Sequence, residues 1–551
     1  MAIELSNLTF TEQDDVVPAS GVEQILNTGI ANTLAGNDTI TGTTARFEAS
    51  NYGLFNSGTL NTAEGNDSIT GTSDSTGIIN SGTLNTAEGN DSITGEGLFG
   101  FGLDNTGTLN TGEGNDSIRA QGSSGDGFKN TGTFNTGEGN DTIRVGGRNS
   151  GIITPGTFYT GEGDDVIESA CRDTAIYMGS IFDTGDGNDR IRGASSSFGW
   201  GIYNDSDSTF NTGDGNDTIE GQGASGIINR GLINTGNGKD IIIADKRFEQ
   251  IISIENFFTI DTGDDDDIIT GNNGISNQGN INTGNGDDLI TARFFGGKAI
   301  LENFNSIETG EGNDIINSSG VIYNQNGEAI DTRTRKAISN NGTINTGNGQ
   351  DSIISEGIFT NRGGVFLGEG NDSITASIIA EVSLPNRAIE NFNAIETGDG
   401  KDIITSTGVI YNEGVINTGN GDDSIIVDGG VNGTGAGYGI YNNGGAINMG
   451  DGNDSIIANQ GFESAENSSG AWFLGEGEDY IKGFGSGDFY GGNGNDTLEL
   501  TPGTYTVGIW DRVVFAKGNS LMLASEFEQL IAGDQTYDFT SLTAGQIIVV
   551  A

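Results

Sequence analysis

Asn110-Thr-Gly-Glu-Gly-Asn-Asp-Ser-Ile118 is the stretch whose reading decides the fold. Its middle, Gly112-x-Gly114-Asn115-Asp116-x-Ile118, returns in variant form from one end of the chain to the other. Each return places an aspartate at the same point: Asp38, Asp67, Asp91, Asp116, Asp141, Asp165, Asp189, Asp217, Asp240, Asp267, Asp288, Asp314, Asp351, Asp372, Asp402, Asp423, Asp454, Asp479 and Asp496. Their mean spacing is about 25 residues, within the range of solenoid repeats. The question of function therefore becomes what one repeat does.

Outward from the motif, each period divides into three short strands. The first follows the aspartate, as in Ser68-Ile-Thr70, Ser92-Ile-Thr94 and Ser117-Ile-Arg119. The second ends in asparagine, at Asn56, Asn80, Asn105 and Asn130. The third runs into the glycine turn, as in Thr59-Leu-Asn-Thr62 and Thr83-Leu-Asn-Thr86. Segments this short are not helices, and glycine at every corner would penalise helix by about 1 kcal/mol each. Three strands and three corners make one coil of an all-β fold, a right-handed parallel β-helix or β-roll solenoid. Coils stacked at about 4.8 Å predict a rod on the order of 90 Å with one apolar residue per strand facing inward. The asparagine at the second corner is placed to hydrogen-bond the next coil, forming a ladder.

Residues 1–30 precede the first motif, and Val16-Val17-Pro18 marks a natural boundary, so this segment reads as an N-terminal cap. Residues 31–500 are the repeat solenoid. The wider gaps from Asp314 to Asp351 and from Asp372 to Asp402 read as loop insertions, the first holding the basic run Arg333-Thr-Arg335-Lys336. Near the end the rhythm tightens, with Asp479, Asp488 and Asp496 closely spaced, which predicts a tandem short repeat and adds Asp488 to the candidate ligands. Residues 501–551 lack the motif. There Tyr505–Trp510, Arg512–Ala516 and Ser520–Ala524 read as a small antiparallel β cap.

Composition excludes several functions. The net charge of −54 argues against nucleic acid or an anionic membrane as partner and suits a chain that collects cations. With no histidine and one cysteine, Cys171, there is no internal disulfide and no Cys/His zinc site. No run is long enough for a transmembrane helix, and the N-terminus lacks the basic and apolar regions of a Sec-type signal peptide. Glycine supplies 95 residues without the every-third spacing of collagen.

The turn itself points to a hard cation. Gly112 and Gly114 permit positive φ, turn carbonyls inward, and leave Asp116 to add a carboxylate. Oxygen-only ligands suit calcium, which takes six to eight of them at about 2.3–2.6 Å. Two carboxylates about 4.8 Å apart repel by roughly 3–4 kcal/mol at an effective dielectric of about 20, so a column of them calls for cations. Gly-Asn-Asp also makes good turns on its own, but turn propensity does not demand one aspartate at one register.

Gly491-Gly-Asn-Gly-Asn-Asp-Thr-Leu-Glu499 matches a full G-G-x-G-x-D-x-(apolar)-x nonapeptide, and the other copies match from the second glycine onward. In this the chain resembles the RTX, or haemolysin-type, calcium-binding repeat family. The resemblance implies Ca2+ as the bound ion, export by type I secretion machinery reading residues 501–551, and a secreted, extracellular or cell-surface location. RTX β-rolls carry two nonapeptides per turn, whereas one motif here serves a whole coil, so one ion column is expected. Asp264-Asp-Asp-Asp267 lacks the second glycine, and Lys239 and Lys401 precede their aspartates, which marks those sites as weak or empty.

Three functions fit such a solenoid. A calcium-stabilised structural or cell-surface protein leads. A polysaccharide lyase or epimerase is second, disfavoured because every coil offers the same carboxylates and histidine, the commonest general base, is absent. A recognition module, including an ice-binding or adhesin surface, is third. It rests on the outward pairs Thr59/Asn61, Thr83/Asn85, Thr108/Asn110 and Thr133/Asn135.

Overall fold

A computed structural model describes residues 2–18, 23–44, 51–246, 252–293, 301–319, 336–378, 387–429, 437–465 and 470–551. Its contacts divide into two units, Met1–Ile275 with Gly279–Asn282, and Ser276–Gln278 with Thr283–Ala551. Both are stacks of parallel β-coils, and the helices among the described residues are two single turns, Leu5–Asn7 and Phe539–Ser541.

In the first unit a representative coil runs through Ser68–Ser73, Thr76–Asn80 and Thr83–Asn85. Each strand pairs in parallel with the same strand of the next repeat, without slippage: Ser92 with Ser117, Leu103 with Phe128, Leu84 with Leu109. A one-residue slip would turn every inward side chain to solvent, so the buried apolar column of each strand fixes the register. Ile69, Ile93, Ile118 and Ile143 form one column, Ile78, Leu103, Phe128 and Ile152 a second, and Leu60, Leu84, Leu109 and Phe134 a third. In the third column Phe158 and Phe182 stack with ring centroids 4.4 Å apart.

The first strand is longer than the three residues its sequence predicts. Ser92–Gly97 spans six, because Gly95 faces inward where the second strand crosses close by. A Cβ there would stand 2.3 Å from the carbonyl oxygen of Gly102. The expected asparagine ladder is present and buried: Asn80 Nδ2 donates to Asn105 Oδ1 and to the Thr108 carbonyl, both at 2.8 Å. Parallel stacking already includes Ala2–Glu4, paired with Gln24–Leu26, and Val16–Val17, paired with Thr39–Ile40.

The second unit keeps the same coil with a shorter first strand, such as Ser424–Val427. The wide gaps leave the stacking intact, since Leu301–Asn303 pairs with Ile338–Asn340 and Phe359–Asn361 with Ile389–Asn391. The run Arg333-Thr-Arg335-Lys336 lies outside the described residues except for the backbone of Lys336.

The expected tandem short repeat near the C-terminus is not formed. Asp479 and Asp496 belong to adjacent coils, and the intervening coil is shortened because its second side shrinks to one bridge between Phe462 and Gly485. After it, Gly503–Ile509, Val513–Lys517 and Ser520–Ser525 form the antiparallel meander read from the sequence. Ile547–Val550 adds antiparallel to Gly503–Thr506, and Gln529–Ala532 pairs with Gln535–Asp538.

Candidate metal centre

The turn is held by backbone that only glycine tolerates easily. Gly112 and Gly114 have φ of 100° and 141°. Close approach is the second constraint: a Cβ on Gly114 would stand 1.8 Å from the Gly89 carbonyl oxygen of the preceding coil. Where the first glycine is replaced, Ala63 and Ala87 still take φ of 67° and 69°. Asp265, standing where the second glycine is missing, takes 88°.

Asn115 and Asp116 stitch the coils in opposite directions. The Asn115 N–H donates to Asn90 Oδ1 of the coil before, at 2.7 Å. The Asp116 N–H donates to Asp141 Oδ1 of the coil after, at 2.7 Å. The second pattern links Asp38, Asp67, Asp91, Asp116, Asp141, Asp165, Asp189, Asp217, Asp240 and Asp267 within the first unit. In the second unit it links Asp288, Asp314, Asp351, Asp372, Asp402, Asp423, Asp454, Asp479 and Asp496. The insertions do not interrupt it, since Asp314 to Asp351 and Asp372 to Asp402 are bonded at 2.8 Å like their neighbours.

One oxygen of each carboxylate is thus used. Setting aside Asp267 and Asp288, which make further interactions, the other seventeen aspartates have Oδ2 buried and without a hydrogen-bond partner. Burial dominates the acidity of those seventeen and pushes the carboxyls up, to about 7 for Asp91, Asp141 and Asp454 and about 8 for Asp165 and Asp217. The nearby Thr86 hydroxyl and the Asp67 N–H pull Asp91 the other way without overcoming burial. Carboxyls so placed call for a proton or a cation close to neutrality.

The donors fit a hard cation in kind. At Gly349 an added Cβ would stand 1.3 Å from the Gly312 carbonyl oxygen and 3.1 Å from Asp351 Oδ1. The same convergence recurs at Gly370 with Asp372 and at Gly494 with Asp496. A backbone and a side-chain oxygen therefore converge beside each of these glycines, and both are donors of the kind calcium takes. Among the described residues no three acidic, cysteine or histidine side chains converge as a metal cage. An ion here would hold one carboxylate per coil and draw its remaining ligands from carbonyls, hydroxyls or water.

Asp488 is not brought to the column. It lies in the strand Gly487–Gly494 and pairs with Arg512 Nη1 at 2.8 Å. Lys239 and Lys401 keep the backbone stitch, donating N–H to Asn216 and Asn371 Oδ1 at 2.8 Å, and the Lys239 ammonium pairs with exposed Asp266. Cys171 is buried, with its thiol pushed up to about 12, mainly by burial.

Sequence reading missed two parts of the site. Asp15 sits in register with Asp38 and donates its N–H to Asp38 Oδ1 at 2.8 Å, while Asp14 Oδ1 accepts from Asn37 as an asparagine does elsewhere. The signal was Asp14-Asp15-Val16, which parallels Asp164-Asp165-Val166. A row of buried threonines was the other: Thr86 and Thr111 hydroxyls donate to the Thr111 and Thr136 carbonyls at 3.1 and 3.0 Å.

The outward Thr-x-Asn pairs do stack in register, and Asn110 and Asn135 spend their Nδ2 donors on Asn85 and Asn110 at 2.8 Å. No helix among the described residues is long and apolar enough to cross a membrane. Fold and site together define a parallel β-solenoid with an internal carboxylate column. The chain matches no family model, and no significant match to it was found among curated proteins or solved structures.

Proposed function

We propose that this chain is an extracellular calcium-binding repeat protein of RTX type, in which a column of Ca2+ ions stabilises the solenoid for a structural or cell-surface role. The observation that carries the reading is the choice of acid over amide. An asparagine would supply the same Oδ1 to the neighbouring N–H at no burial cost for charge. Yet all nineteen column positions hold aspartate, and seventeen of them, all but Asp267 and Asp288, leave an oxygen unpartnered. The residue just before is free to vary, as Asn66, Asp164, Lys239, Gln350, Lys401 and Glu478. Only the column position keeps the charge, which supports a bound cation. Ca2+ would there neutralise the carboxylates and tie adjacent turns together. Export through a type I machinery reading residues 501–551 belongs to the same proposal and rests on the RTX resemblance.

Calcium titration of chelator-treated protein, followed by circular dichroism and calorimetry, tests this. The β signal is expected to appear cooperatively at about 10⁻⁴–10⁻³ M Ca2+. Magnesium, which dehydrates reluctantly and demands octahedral geometry, is expected not to replace it. A full β spectrum in chelator together with no binding heat overturns the proposal.

A further inference from the structure

We infer that Glu528 extends the carboxylate column beyond its last motif and closes a terminal divalent-cation site with Asp496 and the Glu526 carbonyl. The inference rests on the calcium reading of the column. Thr497 pairs with Gln529 and Leu498 with Leu530, which sets Glu528 in register with Asp496. The Asp496 N–H donates to Glu528 Oε2 at 2.7 Å, the bond that earlier coils make to the next aspartate's Oδ1. In return the N–H groups of Glu528 and Gln529 donate to the Asp496 carbonyl at 3.1 and 2.9 Å.

The local turn explains why a glutamate stands here. Glu526 takes φ of 63°, like Ala63 and Ala87 at the first turn position of their coils. Only Phe527 then separates it from Glu528, whereas Glu64, Gly65 and Asn66 separate Ala63 from Asp67. The shorter turn sets the backbone back, and the extra methylene of glutamate restores the carboxylate's reach.

A ligand is called for by Asp496 itself, which is 0% exposed and whose Oδ2 has no hydrogen-bond partner. A Cβ on Gly491 would stand 2.9 Å from that Oδ2 and 1.8 Å from the Glu526 carbonyl oxygen. Both oxygens thus lie against the same face of Gly491, where a side chain would displace them, with the Glu528 carboxylate one hydrogen bond away. Two carboxylates and a carbonyl form an oxygen set suited to Ca2+ completed by water. Its occupancy would hold the segment from Glu526 to Asp538 against the last coil.

Amide hydrogen exchange on the full chain, with Ca2+ alone as probe, tests the site through two peptides, residues 526–532 and 110–118. Calcium is expected to slow exchange in both. Glu528→Gln keeps an oxygen for the Asp496 N–H but removes the charge. It is expected to raise the calcium midpoint of 526–532 by about tenfold, with 110–118 unchanged. Asp534→Asn, an exposed acid on the adjoining turn, is expected to shift neither. An unshifted 526–532 midpoint in Glu528→Gln overturns the inference, as does an equal shift in Asp534→Asn, which would mean diffuse charge. If Glu528→Gln does not fold, Glu528→Asp carries the test, since its shorter arm should raise the same midpoint and an unchanged one overturns the site. A wild-type chain in which 110–118 responds and 526–532 does not refutes the terminal site alone. No response in either refutes the calcium reading as well.

Discussion

Two buried polar ladders climb each stack, one of asparagine at the second corner and one of aspartate at the turn. In the first, Asn56, Asn80, Asn105 and Asn130 each donate Nδ2 to the next Oδ1 at 2.8 Å, or to the Thr154 hydroxyl at 3.1 Å for Asn130, and also to a backbone carbonyl. An amide is donor and acceptor at once, so such a ladder satisfies itself, and in the first unit its unpaired oxygen is that of the first member, Asn27. A carboxylate only accepts, so in the aspartate ladder Asp67, Asp91, Asp116 and Asp141 each leave Oδ2 unpaired. Similar positions in the same fold thus have opposite needs: one ladder finds its partners within the chain, and the other leaves buried oxygens for a proton or a cation to meet.

The largest effect expected from this contrast is that of calcium removal. Chelation should abolish most of the β signal although every asparagine bond remains available, and circular dichroism in chelator measures it. Next comes Asn105→Asp, which places an uncompensated charge in the self-sufficient ladder. With calcium present it should cost roughly 3–5 kcal/mol at neutral pH, read from chemical unfolding.

Acidity separates the ladders further. Burial raises the column carboxyls above their ordinary value, so without metal the folded state binds protons that the unfolded chain has released. That stability is complete below the unfolded pKa and is lost as pH rises through about 7 to 8. In chelator, residual structure should therefore increase from pH 8 to pH 5. In calcium the trend should reverse, because protons compete with the ion. Unfolding midpoints across that range check both signs, and the asparagine ladder, which does not titrate, contributes to neither.

Asp116→Asn sharpens the comparison at one rung. The Asp91 N–H keeps its acceptor, so in chelator the variant should be no less stable than wild type, while in calcium it should lose binding stoichiometry locally by calorimetry. Smallest of all is Glu113→Gln in the same turn. This exposed acid lies outside the column, so its effect should stay within about 0.5 kcal/mol. A loss equal to that of Asp116→Asn would mean that the acidic surface gathers ions diffusely.

The parallel stack, its three strands per coil, the asparagine ladder and the nineteen aspartates were legible because glycine and aspartate recur on one period. The members at the ends were not, for a physical reason. Gly36 is needed because Gln13 lies beneath it, where a Cβ on Gly36 would stand 2.6 Å from the Gln13 carbonyl carbon. Gln13, in the first coil, takes the corresponding place before Asp14 and Asp15 without being a glycine, so the motif fades while the geometry persists. Asp488 misled for the converse reason. Spacing along the chain placed it in the series, but the shortened last coil turned it toward Arg512. The two-way use of Asn115 and Asp116 was also hidden, because side-chain direction is not written in the motif.

The wide gaps leave one further consequence. Asp351 lies 37 residues from Asp314 and 21 from Asp372, yet both links are 2.8 Å. The first of these gaps has its extra residues between the strands Ile315–Ser319 and Lys336–Asn340, at the corner farthest along the chain from the glycine turn. Contour length is thereby uncoupled from pitch. Foreign peptides grafted at that corner would be displayed one coil apart in an order set by the sequence, with the aspartates serving as the ruler.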